Sequence, residues 1–184
     1  MPEALRPIRH RGASADQPSG QSLVEFSLIL GPLMLVLLGI IQFGFIFNSY
    51  VTLTNAAREG ARQGTIYVFD RTQSKSANDL ARNDSIKTYL TGSMNLLSTT
   101  APQFTTGGTW TQTSGSSQTT FTNGDLTITY DWSGITDSDP RTGEKVTIKS
   151  VYHQDLVIPL IANLLPKDAG GRLQLTGQVT MVIN

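Results

Sequence analysis

The chain changes character at one junction, Pro18-Ser19-Gly20-Gln21-Ser22-Leu23-Val24-Glu25-Phe26. Up to Gly20 it is polar and charged, with Pro2, Pro7 and Pro18 among Gly, Ser and Arg residues. Such a stretch does not build a packed core. An apolar run then begins, and from Leu28 to Phe47 all 20 residues are apolar or Gly/Pro except Gln42. At about 1.5 Å of rise per residue, this is enough helix to cross a hydrocarbon layer of roughly 30 Å. Glu25, the fifth residue after Gly20, is the only carboxylate near the start of the run. A charge held at mid-membrane costs roughly 2.5–3.5 kcal/mol, and less near an edge. This carboxylate therefore calls for a partner.

The run is longer than the apolar region of a secretory signal, which has about 7–15 residues and ends in a small-residue cleavage site. It passes instead into a helical pattern over residues 48–64. A small residue at the junction with an acid five residues later is the layout of a class III signal, cut ahead of a retained helix. An uncut signal anchor and a removed signal peptide are the alternatives; Asn55-Ala56-Ala57 offers the latter a weak site. Arg6, Arg9, His10 and Arg11 favour a cytoplasmic N-terminus, against a weaker opposing pull from Arg58 and Arg62. The expected organisation is a leader at 1–20, a long helix at 21–65 with its membrane-spanning part at 28–47, and an extracytoplasmic domain at 66–184.

Bulk composition narrows the function classes. The chain has 184 residues, 14 basic and 14 acidic, and no cysteine. Disulfides and thiolate metal sites are excluded. Removing the leader would leave 11 basic and 12 acidic residues, without the clustered basic face of a nucleic-acid binder. What remains is room for one modest globular domain.

Along the chain, the helix is expected from near Ser22, with a bend or local unwinding at Gly31-Pro32 and a stop near Gly64. A helix over 22–64 would be about 65 Å long. Tyr50, Leu53, Ala57, Gly60, Ala61 and Gly64 share one helical face. The pairs Ala57/Ala61 and Gly60/Gly64 allow another backbone to approach closely, either from the chain's own domain or from a neighbouring subunit. Glu59 and Arg62 can pair at i, i+3. A second helix fits Ser76–Leu97, opened by the box Ser76-x-x-Asp79, with an apolar face of Leu80, Ala81, Ile86, Tyr89, Leu90, Met94 and Leu97. Residues 98–124 are loop or irregular edge strand. Asn123-Gly124 is a two-residue hairpin turn joining strands at 117–122 and 125–132; in the latter, Leu126, Ile128, Tyr130 and Trp132 share a face. A strand at 144–152 turns Val146 and Ile148 inward, a short helix starts near Pro159, and a final strand at 172–183 alternates from Leu173 to Ile183. The fold class is α+β: a long N-terminal transmembrane helix continuing into a small antiparallel sheet packed with helices, pilin-like.

No catalytic constellation is present. His10 and His153 are not at ligand spacing, and there is no Gly-x-Ser-x-Gly, P-loop or HExxH. Asp137-x-Asp139 followed by Gly143-Glu144 offers oxygen ligands but lacks the EF-hand layout, so a solvated turn is expected rather than calcium. Neither metal nor cofactor is expected. Asn83-Asp84-Ser85 is formally a glycosylation sequon, discounted because it falls on a helix. Trp110 and Trp132 are expected as core or loop anchors.

Three segments together carry a resemblance: Gly20-Gln21-Ser22-Leu23-Val24-Glu25-Phe26, Gly39-Ile40-Ile41-Gln42-Phe43-Gly44 and Leu53-Thr54-Asn55-Ala56-Ala57-Arg58-Glu59-Gly60-Ala61-Arg62. They resemble the TadE-like pseudopilins of the tight-adherence (Flp-type) pilus system. The similarity is dense over residues 20–66. Val146-Thr147-Ile148 with Val151-Tyr152 resembles that family's strand leading into a short apolar helix. The resemblance implies a single-pass protein of the cell membrane or pilus, cleaved between Gly20 and Gln21 by a prepilin peptidase. Its implied partners are other pilins and pseudopilins and the inner-membrane assembly platform. It acts by assembly and adhesion and is not an enzyme. Glu25 would take the position of the acid that neutralises a neighbouring subunit's new terminal amine, and Phe26 the aromatic position after it. The polar Gln21 as new first residue departs from the major pilins of related systems; cleavage is still implied, and methylation is left open. The rival reading is a signal-anchored extracellular binding module that never enters a pilus.

Overall fold

The computed structural model describes residues 19–99, 104–105, 107–137 and 140–184. The expected leader up to Pro18, and Asp139 of the acidic loop, lie outside them. Helix α1 runs from Ser19 to Thr65, 47 residues, and includes Pro32. It begins ahead of the expected Ser22. The unwinding expected at Gly31-Pro32 does not occur. Proline removes one donor and crowds one carbonyl, that of Leu28, and the hydrogen bonds on either side carry the helix through.

The chain divides into two compact units at Gly39. The described part of the first, residues 19–38, is the opening stretch of α1, and its large side chains from Leu23 to Leu38 are all exposed. The second unit, Gly39–Asn184, holds the rest of α1 and every other element.

In the second unit α1 is followed by α2 (Lys75–Ser93) and α3 (Leu96–Thr99), then β1 (Thr111–Ser114), β2 (Gln118–Asn123), β3 (Leu126–Asp131) and β4 (Lys145–Gln154). The short helix α4 (Pro159–Ala162) and strand β5 (Leu173–Val182) complete it. The strands form one five-stranded sheet in the order β1-β2-β3-β4-β5, every pair antiparallel. Period-2 alternation sets its faces. Leu126, Ile128 and Tyr130 of β3, Val146, Ile148 and Tyr152 of β4, and Leu175 of β5 are buried. They join Leu53, Ala56 and Ala61 of α1 and Ile86 and Leu90 of α2 in one core. On the opposite face, Thr113, Thr120, Thr129, Thr147 and Thr180 stand in one row across the sheet.

The β2–β3 hairpin turns one residue later than the sequence suggests. Asn123 pairs with Leu126, so the loop is Gly124-Asp125, with Gly124 at φ 58°. A glycine first in a two-residue loop is an established hairpin solution. Here it is also required, because a Cβ on Gly124 would run into the Thr105 carbonyl. Asn123 is needed inside the strand: its Nδ2 donates to the Gly108 carbonyl at 3.0 Å.

Helix α2 departs further from expectation. Its N-cap is Ser74, whose hydroxyl accepts from the Ala77 amide, and not Ser76 in a box with Asp79. Its buried side is polar over the first turns, with Asn78, Asp79, Arg82 and Asn83, and apolar only from Ile86 to Leu90; Leu80 and Tyr89 are exposed. Each of these residues finds at least one partner, as burial demands, although Arg82 Nε and Asn83 Nδ2 are left without one. Asn78 Oδ1 accepts from the Asp70 amide at 2.8 Å. Asn83 Oδ1 accepts from the Tyr130 hydroxyl at 2.7 Å, which removes the sequon from solvent. Asp79 receives both Nε and Nη2 of Arg141 at 2.7 and 2.8 Å, and Glu144 Oε2 takes Nη1 at 2.7 Å. Arg141 also lies 4.5 Å from the centre of the Tyr130 ring. These contacts hold Arg141 at φ 69°, a left-handed conformation that an ordinary side chain resists by roughly 1–2 kcal/mol.

Two outcomes follow. A Cβ on Gly177 would sit 3.0 Å from the Leu53 carbonyl oxygen, whereas one on Gly31 would meet nothing within 4 Å. Gly177→Ala in the detergent-solubilised full chain is therefore expected to cost about 1–3 kcal/mol, and Gly31→Ala nothing, in chemical denaturation. Equal stabilities would contradict the close approach.

The second outcome concerns acid. Asp70, Asp131 and Asp168 lie below the ordinary aspartate value of 3.8, through the Thr72 hydroxyl, the Ser133 hydroxyl and the Arg172 amide respectively. For Asp137 burial pulls upward, but Lys75 and Arg141 outweigh it and the net shift is downward. An acid depressed in the fold stabilises it above the unfolded value, and that stability is lost as pH falls through the folded one. Glu144 opposes this, since burial raises it despite Arg141. The melting temperature is expected to fall once pH drops below the ordinary aspartate value, and Asp168→Asn to flatten the fall. A melting temperature constant down to about pH 2 would contradict this.

Candidate functional site

The residues singled out at the junction lie on the first turns of α1. Gly20 is exposed, and a Cβ there would meet nothing within 4 Å. Gln21 and Glu25 are one turn apart, and Gln21 Nε2 donates to Glu25 Oε1 at 2.9 Å. An i, i+4 contact of this kind contributes only about 0.2–0.5 kcal/mol. The carboxylate has no cation paired to it among the described residues. Phe26 beside it is 64 % exposed. The turn therefore presents an accessible glycine, one carboxylate and one aromatic ring on an otherwise apolar, uncovered helix.

The small residues farther along are used differently. Ala57 and Ala61 are fully buried. A Cβ on Gly60 would lie 3.2 Å from Leu90 Cβ, and one on Gly64 2.8 Å from Ile86 Cδ1. Gly60 and Gly64 thus meet α2 of the same chain. The outward strip of this half of α1 carries Tyr50, Val51, Thr54, Asn55 and Arg58, around a shallow depression. Glu59 and Arg62 pair at 2.6 Å on the surface. The Arg62 hydrogen bond lowers the Glu59 pKa.

One residue has a role that periodicity did not indicate. Gln42 is completely buried, and its Oε1 accepts from the Val157 and Ile158 amides at 2.9 and 3.3 Å. It holds the two residues ahead of α4 and supplies part of the N-terminal capping that Ile158, without a side-chain cap, cannot. The clue in the sequence is that a lone amide in an apolar run must find a partner.

The acidic loop is a structural knot. Glu144 is buried on Arg141, and Asp137 is shared between Lys75 and Arg141. Glu144 Oε2 and Asp137 Oδ1 face cations of the chain itself. Beside the knot lies an open pocket of about 430 Å³, lined by Lys75, Gln112, Thr119, Trp132 and Asp137 among others. Trp110 instead anchors a loop, donating from Nε1 to Asp84 at 2.8 Å. His153 bridges Asp168 and Asp125 at 2.6 and 3.3 Å, tying the β2–β3 turn to the turn before β5.

Comparison of the whole chain with characterised proteins and with solved structures finds no match. The match that exists lies on α1 and starts at the junction itself: residues 20–62 fit the family model described as TadE-like protein.

Proposed function

We propose that the chain is a pseudopilin of a tight-adherence (Flp-type) pilus system, acting in pilus assembly, adhesion and surface attachment rather than in catalysis. The observation that carries this reading is the uncovered apolar start of α1. It places Glu25 at the fifth residue after an accessible Gly20 and lies within the segment that fits the TadE-like family. In this reading residues 1–20 are a leader removed by a prepilin peptidase at the Gly20–Gln21 bond. The opening part of α1 spans the cell membrane once, with its N-terminus in the cytoplasm and the sheet domain outside.

Glu25 then has a defined task. An amine and a carboxylate that enter a low-dielectric helix bundle are each costly alone, and removing one partner of such a pair costs about 3–5 kcal/mol. Gln21 Nε2 supplies Glu25 with a neutral hydrogen bond until a neighbouring subunit's terminal amine arrives. Phe26 packs beside that contact. The partners are the prepilin peptidase, other pilins and pseudopilins, and the assembly platform in the inner membrane.

The test combines mass spectrometry of the N-terminus with affinity recovery of partner pilins from membranes. Wild type and Glu25→Ala are both expected to start at Gln21, with partner recovery at least about tenfold lower for Glu25→Ala, as loss of a buried ion pair implies. Undiminished recovery with Glu25→Ala would favour the signal-anchored binding module. An intact leader in cells with an active peptidase would overturn the processing step.

A further inference from the structure

Past β4 the chain turns back along α1. Ser49 Oγ donates to Gln154 Oε1 at 2.6 Å. The amides of Val157 and Ile158 then bond Gln42, and Ile161 Cδ1 lies 3.5 Å from where a Cβ on Gly39 would be. Between residues 49 and 39 a helix rises about 15 Å, so residues 154–161 climb that distance toward the N-terminal end of α1. They end on the last part of the apolar run, at Gln42 and Gly39.

This segment has two faces. Ile161 is buried against α1, while Val157, Leu160 and Leu164 point away from the fold and are 69 %, 58 % and 79 % exposed. These three side chains form an exposed apolar belt on α4 and its flanks, of a kind that marks an interaction surface. Its flank is polar: Lys167 Nζ donates to Asn163 Oδ1 at 3.3 Å, and Asp168 follows.

We propose that α4 and its flanking residues are a second membrane contact, inserted into the outer interfacial layer of the bilayer that α1 crosses. The inference rests on the membrane-spanning reading of α1 given above. The belt sits on a turn that packs against Gly39 and Gln42, residues of the apolar run itself, which points to lipid as its occupant. The depth follows from the backbone. A single helical turn leaves its terminal carbonyls without intrahelical partners, which the hydrocarbon centre does not tolerate and the interface does. Asn163 and Lys167 also need the headgroup layer. Gln42 fits this placement, because the 157–158 backbone covers the one strong polar group of the run where it would otherwise face acyl chains. The placement moves the span toward the N-terminus from the expected 28–47: about 20 residues suffice, and Ser22 to Ile41 supplies them, with Gln42 at the outer edge. Pinning α4 to the surface fixes the tilt and rotation of the sheet domain above the membrane, which a single helix cannot do alone.

The chain has no cysteine, so single-cysteine variants of the full protein can be labelled cleanly. Leu160→Cys and Leu164→Cys are compared with Leu33→Cys in the span and Thr122→Cys on the exposed sheet face. Each carries an environment-sensitive nitrobenzoxadiazole label in phosphatidylethanolamine–phosphatidylglycerol vesicles, with lipid quenchers at headgroup or acyl depth. The labels at 160 and 164 are expected to be blue-shifted and quenched several-fold more than the label at 122, most strongly by the shallow quencher. The label at 33 is expected to respond most to the deep one. Labels at 160 and 164 that behave like the one at 122 overturn the proposal. So do blue-shifted but unquenched labels, which would mean a protein partner on the belt. A label at 33 that no lipid quenches overturns the membrane reading itself.

Discussion

The second unit is organised around the closeness with which α1 approaches its neighbours. A Cβ on Gly177 would touch the backbone of Leu53, and one on Gly64 would overlap Ile86. Side chains are removed at these points so that helix and sheet can meet almost backbone to backbone. The close fit buries Leu53, Ala56, Ala57 and Ala61 completely and brings the first turns of α2 over β3. Asn83 can then reach Tyr130, and Asp79 can reach Arg141. The buried charge cluster depends on this approach: at a wider separation its ions would be left unpaired in a low-dielectric interior, which is strongly destabilising.

One helix therefore carries two kinds of surface. Its opening stretch carries large apolar side chains on all sides, as an isolated span requires, and its closing stretch carries small residues on the side that meets protein. Gln42 stands at the change. Its amide is costly in lipid and useful in protein, and the fold brings the residues ahead of α4 to it. The proposed roles of the two ends, subunit recognition at Glu25 and domain presentation above the membrane, both require this continuity.

Strands β3 and β5 were legible in the sequence because their apolar residues alternate, in β5 with only Val182 out of step, and the junction was legible because the change in composition there is abrupt. The inward side of α2 was not, because polar residues give no local sign of burial. Asn78, Asp79, Arg82 and Asn83 are the polar turns of a stripe that continues to Ile86 and Leu90. The spacing carried the information and the residue types concealed it. Their partners, Arg141 and Tyr130, are far away in the chain, and no local pattern announces such pairing. The β2–β3 turn was placed one residue early because Asn-Gly is a strong local signal. Tertiary contacts of Asn123 and the carbonyl of Thr105 overrode it. Gln42 was visible only as an exception to an apolar run.

Hydrogen exchange along α1, measured on the full chain in lipid nanodiscs, tests the central claim that the second half of this helix is the core of the folded domain. Amides from Leu53 to Gly64 are predicted to exchange as slowly as those of β3 and β4, and only through global unfolding of the domain. If they exchange orders of magnitude faster than the sheet, opening independently of it, α1 is a tether rather than the core, and the account fails.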